Sequence, residues 1–568
     1  MRDRALFLAM TCALAACRGD NAEPQSQQMD ASSSDTGTGD PSVSSASESG
    51  VDGSSSSSGD DTDSASTGDD AHSGQFAYVT TRERGGPMRQ QRVRYRHDAP
   101  PELELLHPDD ARDWTATAEL GDGSLVLVSV SAEGTTVWAV PGDGDALGEP
   151  SEIAHAAGPD GLSALQPIPG ATAIAYVDVG EANAYRVDFD DVDDPVTAIV
   201  ATDVVLAAPV SPDGDVMLVQ RSPVPGGGVA HWQRARLEAP GGVEAIAFAP
   251  SIGDTFAGYT ADGSGVWLTT FDSAAIANGD DLYFAALHGD PLAPPVRVND
   301  LVTDPAERLV PCYGDTVSAA AGAASYVVGN LATGESRRYL ARIVDATPQP
   351  VELVASGRGE SDFECHWAAD GTWMTYGGGD ASNATLELLM VAGGEAQGSE
   401  TLVPWPLGDE PFRFVAGDAD GILLLRRVED SDFAELWRVP LTDGVPGEPQ
   451  PLVEASGDGA PRRLGVEAGV SPSSPPIAGA ISYRGKYGDG EAVWLARTGA
   501  GVIEQISDED PSAVVQPGSI SPDGGFVTYV IWDEQTASGE LRVRDRMLSG
   551  PSIHVAEGVL GERFATVP

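Results

Sequence analysis

Asp418 and Asp420 stand one residue apart, directly before Gly421. Two carboxylates at a glycine turn, joined by backbone carbonyls, make an oxygen donor set suited to calcium. Asp188, Asp190, Asp191, Asp193 and Asp194 form a second acidic cluster of the same kind. Neither completes an EF-hand loop, and solvated turn acids are the simpler reading of both. Calcium is therefore the one cofactor with a candidate set. His366 follows Cys365 and offers a nitrogen beside a sulfur donor, but a packed, structural histidine is the simpler expectation. The usual catalytic signatures do not occur. There is no Gly-x-Ser-x-Gly elbow, no His-Glu-x-x-His and no phosphate-cradling Gly-rich loop before Lys. No catalytic residue is assigned.

Cysteine chemistry depends on compartment, and the first residues speak to that. Arg2 and Arg4 precede Ala5 to Ala16, a mostly apolar run too short to span a bilayer and suited to a signal peptide. It ends in Leu14-Ala15-Ala16-Cys17, which resembles the lipobox of bacterial lipoproteins. The resemblance implies cleavage before Cys17, lipidation of its thiol, and residues 1–16 as the signal peptide. Several acyl chains at ~0.8 kcal/mol per buried CH₂ make a stable membrane anchor. Arg18 occupies the place where Asp would imply retention in the inner membrane, so the expected location is the cell envelope, at the outer membrane. Cys12 leaves with the signal, which leaves Cys312 and Cys365 as an even pair in an oxidising compartment. They are expected to form a disulfide, with two free thiols as the alternative.

Residues 17–74 are the lipidated cysteine and a tether rich in Ser, Asp, Gly and Thr, with a serine run from Ser54 to Ser58. Such a composition buries too little apolar surface to offset its ordering entropy, so a disordered stalk is expected. The formal charge is −54, and most of the acids lie beyond the tether. Nucleic acid is excluded as a partner, because binding it needs positive patches.

From residue 75 to 568 the chain reads as short strands and turns. Val210-Ser211-Pro212-Asp213-Gly214 and Ile520-Ser521-Pro522-Asp523-Gly524 match closely, and each leads into an apolar strand. Looser copies end at Gly123, Gly263, Gly371 and Gly421, with degenerate ones at Gly170, Gly322 and Ser474. Gly supplies φ > 0 and Asp bonds back to the turn backbone. A second strand with an early aromatic follows several turns, as in Val137-Trp138-Ala139-Val140, Leu282-Tyr283-Phe284-Ala285, Leu436-Trp437-Arg438-Val439 and Val493-Trp494-Leu495-Ala496.

This order resembles the TolB-like and WD-repeat-like β-propellers. The resemblance implies an all-β chain of repeated four-stranded blades over residues 75–568, with about nine or ten units in one large ring or two smaller propellers. Glu562 to Val567 is a spare strand that would close a ring on the first unit. Tryptophans at strand positions are expected to pack between blades.

Two functions follow. One is a lipid-anchored binding or scaffold module for a protein, peptide or glycan. The other is a propeller enzyme, lyase-like or glycosidase-like, with acids converging at the central channel; paired carboxylates ~5–10 Å apart would mark it.

Overall fold

The computed structural model describes residues 75–564, apart from a set of loop positions of which 222–230, 454–462 and 466–478 are the longest runs. The expected tether, the expected signal segment and Cys17 all lie outside the described residues, as does Cys312. Among the described residues there is no α-helix, so none that could cross a membrane.

The strands that follow the glycine turns are mostly apolar. Leu125–Val130, Ala173–Asp178 and Val216–Arg221 bury nearly every residue. A strand covered on both faces has no reason to alternate, and a continuous apolar run is what such a position requires. These strands lie second in each sheet, between a short inner strand and the aromatic-bearing third strand. The fourth strand is the more exposed one, as in Ala99–Leu105, and in Val196–Thr202 apart from the buried Val200 and Ala201.

Nine such antiparallel units follow in chain order, at 113–157, 162–202, 204–245, 252–297, 307–358, 364–404, 412–453, 463–505 and 514–559, the units at 412–453 and 463–505 being joined in one sheet where Phe433 and Ala434 pair with Gly465 and Leu464. These are blades 2 to 10. Blade 1 takes three strands from 75–105 and its fourth from the far end of the chain. The strand Ile553–Phe564 serves two sheets. Its first half is the outer strand of blade 10, with Val543 opposite Ile553. Its second half is the inner strand of blade 1, with Ala77 opposite Phe564. The sequence placed the closing strand at Glu562 to Val567; the closing pairs instead run from Val559 to Phe564, and 565–567 lie outside the described residues.

The apolar cores lie between blades. Leu120, Val126 and Val137 of blade 2 pack on Ile174, Tyr176 and Phe189 of blade 3. Val415, Leu423 and Leu436 of blade 8 pack on Ile481, Tyr483 and Trp494 of blade 9. Each successive pair has its own cluster, and the tenth joins Ala77, Val79 and Tyr95 of blade 1 to Phe526, Leu541 and Val543 of blade 10. Cores that link ten units cyclically define one ring of ten blades, not two smaller propellers. Trp114, Trp267, Trp373 and Trp494 are all but fully buried in these seams, where each large ring contributes on the order of 2–3 kcal/mol through burial.

The turns take the expected form, with one correction. Glycines 123, 170, 214, 263, 322, 371 and 524 all have φ between 61° and 82°. The backbone N–H two residues past Asp122, Asp213, Asp262, Asp370 and Asp523 donates to that residue's Oδ1 at 2.8–3.2 Å. In the two Ser-Pro-Asp-Gly copies the serine hydroxyl donates to the aspartate and accepts from the first residue of the next strand. Gly421 departs from this pattern. Asp418 pairs directly with Gly421 across a two-residue turn, so Gly421 is already in the strand and needs no positive φ. The copy at Ser474 lies outside the described residues.

Candidate metal centre on the turn-bearing face

Strands alternate in direction, so the turn between the first and second strands of a blade lies at the same end as the connection from the third to the fourth. All the Asp-Gly turns therefore share one face of the ring with those connections. Neighbouring turns touch. Thr172 Oγ1 of blade 3 donates to Asp122 Oδ2 of blade 2 at 3.0 Å. A Cβ added at Gly263 in blade 5 would lie 2.4 Å from Asp213 Cγ in blade 4, so that glycine leaves the space the Asp213 carboxylate fills.

A recurring backbone bond sets where the third strand ends on this face. A residue at or just past its end donates to a carbonyl one residue beyond the turn glycine. Leu237 to Asp215, Leu287 to Ser264, Val391 to Thr372 and Arg546 to Gly525 are examples, at 2.8–2.9 Å. In blade 5 the next residue, His288, reaches the preceding blade's turn.

His288 meets Asp213 and Asp215. Its Nε2 lies 3.4 Å from Asp213 Oδ2, and one donor atom from each of the three residues falls within 4.8 Å of the others. Among the described residues this is the one group of three or more His, Cys, Asp or Glu side chains so arranged. Asp213 Oδ1 is held by Ser211 Oγ at 2.5 Å and by the Asp215 N–H at 3.2 Å, which turns Oδ2 toward the histidine. The His288 segment is fixed from blade 4. Buried Arg234 donates to the Leu287 and Gly289 carbonyls at 2.5 and 2.9 Å, and Arg236 donates to Gly289 at 2.8 Å. An imidazole and two carboxylates form a mixed nitrogen and oxygen set able to hold a divalent ion. The sequence showed Asp213 as a turn residue only. His288 carries no spacing signal, because its partners belong to another blade.

The residues singled out from sequence lie elsewhere. Asp418 is closed within the protein. Its Oδ1 accepts from the Asp420 and Gly421 N–H groups, and its Oδ2 accepts from Thr498 Oγ1 at 2.6 Å. Asp420 is exposed. Asp188 is bound by Arg186 at 2.7–3.0 Å, Asp190, Asp191 and Asp194 are exposed, and Asp193 lies outside the described residues. The His366 ring stacks on Phe414 with centroids 4.8 Å apart. Cys365 is fully buried and disulfide-bonded. Tyr313 and Gly314, which follow Cys312 in sequence, pair in parallel with Glu364 and Cys365.

Acids stand on several inner strands, among them Glu119, Asp254 and Glu562. Glu562 sits on the inner strand of blade 1, where Thr528 Oγ1 donates to its Oε2 at 2.9 Å and the Ser519 N–H at 3.3 Å. Burial pushes its carboxyl up to about 7, against the pull of those hydrogen bonds.

These features define a ten-bladed β-propeller with a polar, acid-rich turn face. No protein-family model matches the chain, and no curated protein matches it. Solved structures resemble it in fold. A crystal structure of a eukaryotic initiation factor aligns with a TM-score of 0.45 at 10% identity, over 87% of this chain and 99% of that one. A prolyl endopeptidase aligns at 0.34 and 10% identity over 77% of this chain, which spans 55% of the enzyme's length. An oligogalacturonate lyase in complex with manganese aligns at 0.32 and 14% identity, over 65% and 98%. Likeness at this level carries no argument about activity, and the propeller assignment rests on sheet order and the cyclic cores.

Proposed function

We propose that this chain is a lipid-anchored cell-envelope module, held at the outer membrane, whose ring presents its turn face to a protein, peptide or glycan. The observation that carries the binding half is the contact between successive turns. Asp122 with Thr172, and Asp213 with Gly263, bring the turns of blades 2 and 3 and of blades 4 and 5 against each other. A preorganised surface of this kind lowers the ordering cost of binding. The anchoring half rests on Leu14-Ala15-Ala16-Cys17. Cell fractionation with acyl labelling tests it: Cys17→Ser should leave the membrane fraction and take no label. A photo-crosslinker at Glu238 on the turn face should yield an adduct in cells, and one at Glu133, in the turn at the opposite end of blade 2, should not. Adducts from Glu133 alone would overturn the choice of face.

An enzymatic reading has one point in its favour. A carboxyl pushed to about 7 suits proton transfer near neutral pH. Paired-carboxylate chemistry would require a second acid within ~10 Å, whereas the hydrogen bonds to Glu562 come from Thr528 and Ser519. The binding module is the preferred reading, because it requires no such pair.

A further inference from the structure

We propose that Asp213, Asp215 and His288 bind a divalent cation of the zinc class across the seam between blades 4 and 5. The proposal stands apart from the anchored-module reading and does not depend on it.

The spacing carries the argument. A charge-assisted hydrogen bond between an imidazole and a carboxylate runs at about 2.7–2.9 Å. His288 Nε2 and Asp213 Oδ2 are 3.4 Å apart, too long for such a bond. Two ligand atoms on one tetrahedral ion, each with a bond of 2.0–2.1 Å, lie about 3.3 Å apart. Asp215 brings a second carboxylate within 4.8 Å of both. Two carboxylates and a neutral imidazole balance a charge of +2. The nitrogen donor favours zinc over calcium or magnesium, which take oxygen ligands.

The ligands are supported from behind. Ser211 and the Asp215 N–H fix one oxygen of Asp213, and Arg234 and Arg236 fix the backbone on both sides of His288. Support of this kind is what gives a metal site its geometry.

The seam between blades 8 and 9 provides an internal comparison. There Thr498 makes the backbone bond that Leu287 makes in blade 5, so Gly499 stands at the position of His288. Asp418 and Asp420 take the places of Asp213 and Asp215, and a Cβ added at Gly499 would lie 3.1 Å from Asp420 Oδ2. Lacking an imidazole, that seam closes with the Thr498 hydroxyl on Asp418. The equivalent position in blades 4, 8 and 10 holds Glu238, Thr442 and Met547. His288 and Asp215 are exposed, so a bound ion would keep at least one coordination position for water or for a donor from another molecule.

Calorimetric titration of the full chain in detergent with zinc alone, and separately with calcium alone, tests the site. The wild type should take up one zinc with micromolar or tighter affinity. His288→Ala should weaken it at least tenfold, Asp420→Asn at the comparison seam should leave it unchanged, and calcium should bind at least a hundredfold more weakly. His288 is exposed, so unchanged zinc-free thermal unfolding of His288→Ala is expected and separates ligand loss from misfolding, even if Asp213→Asn fails to fold. Cobalt(II) should give tetrahedral visible bands in the wild type that are lost in His288→Ala. Wild-type zinc affinity in His288→Ala, no saturable zinc uptake by the wild type, or calcium binding as tight as zinc would each overturn the proposal.

Discussion

Ala77 and Phe564 are antiparallel partners in one sheet, although they stand near opposite ends of the described chain. The ring is held shut by this pairing, and the strand reaches it by crossing from blade 10 to blade 1 at Gly558. That glycine has a φ of +69°, and a Cβ there would lie 2.4 Å from the Arg82 carbonyl oxygen. Gly558→Ala should therefore cost at least about 2 kcal/mol, from the left-handed backbone and the close approach together. Urea denaturation will read it. Gly561→Ala, three residues on, meets nothing within 4 Å and should stay within about 0.5 kcal/mol of wild type. Equal losses in the two variants would mean that Gly558 has no special part in closure.

Cys365 is buried and disulfide-bonded, and the strand pairing of Tyr313 and Gly314 with Glu364 and Cys365 brings the chain that follows Cys312 alongside it. The expected bond is Cys312–Cys365, across the seam between blades 6 and 7. Mass spectrometry of the non-reduced protein should find that cross-linked peptide and no alkylatable thiol at either position. Cys365→Ser should lower stability by about 4 kcal/mol, the chain-entropy value for a loop of this size. Two free thiols in protein from the oxidising envelope would refute the pairing.

The repeats were legible because their turns depend on local chemistry. An Asp that bonds two residues on and a Gly at φ > 0 leave a mark in any copy, as Asp213-Gly214 and Asp523-Gly524 do. The closing strand was legible only in part: the spare strand was read at Glu562 to Val567, while the pairs that close the ring begin at Val559. Gly421 was misplaced by one residue because a two-residue turn lets Asp418 take the bonding role. The number of rings was not legible, since it depends on which blades share a core. The metal candidate was half legible for the same reason. Asp418 and Asp420 mark the kind of turn that matters, but the deciding residue is the one the next blade supplies, Gly499 there and His288 opposite Asp213.

His107 lies between blades 1 and 2, stacked on Trp114 with ring centroids 4.2 Å apart. The Gln90 N–H donates to its Nε2 at 3.0 Å, and its Nδ1 contacts the Pro108 carbonyl at 2.7 Å. Both contacts are satisfied only by the neutral ring protonated at Nδ1. Burial holds its pKa below the ordinary 6.5, outweighing the Pro108 carbonyl and Asp110, which favour the charged form. The unfolded chain then gains this proton first as pH falls. The contribution of His107 is full above about 6.5 and is lost as pH drops below it. Nitrogen NMR should show the Nδ1–H tautomer at pH 7.5. Relative to His107→Gln, the wild type should lose stability between pH 7.5 and 5.5, and an unchanged difference would refute the assignment.

Glu562 should give the opposite slope over much of the same range. Its Oε1 is buried without a hydrogen-bond partner among the described residues, and burial raises its pKa from 4.5 to about 7. Between those values the folded protein holds a proton that the unfolded chain has released. Stability from this group is therefore full below about 4.5 and falls as pH rises toward 7. The loss is on the order of 3 kcal/mol at 1.36 kcal/mol per unit. Glu562→Gln keeps a carbonyl to accept from Thr528 and the Ser519 N–H while removing the charge. It should be more stable than wild type at pH 8, and the two should converge toward pH 4.5. Because His107 acts in the reverse direction, the measurement is the difference between wild type and Glu562→Gln at each pH, by urea denaturation. A difference that stays constant from pH 4.5 to 8 would mean the carboxyl titrates alike in the folded and unfolded states, and the buried acid beside the channel would then have no part in the pH response.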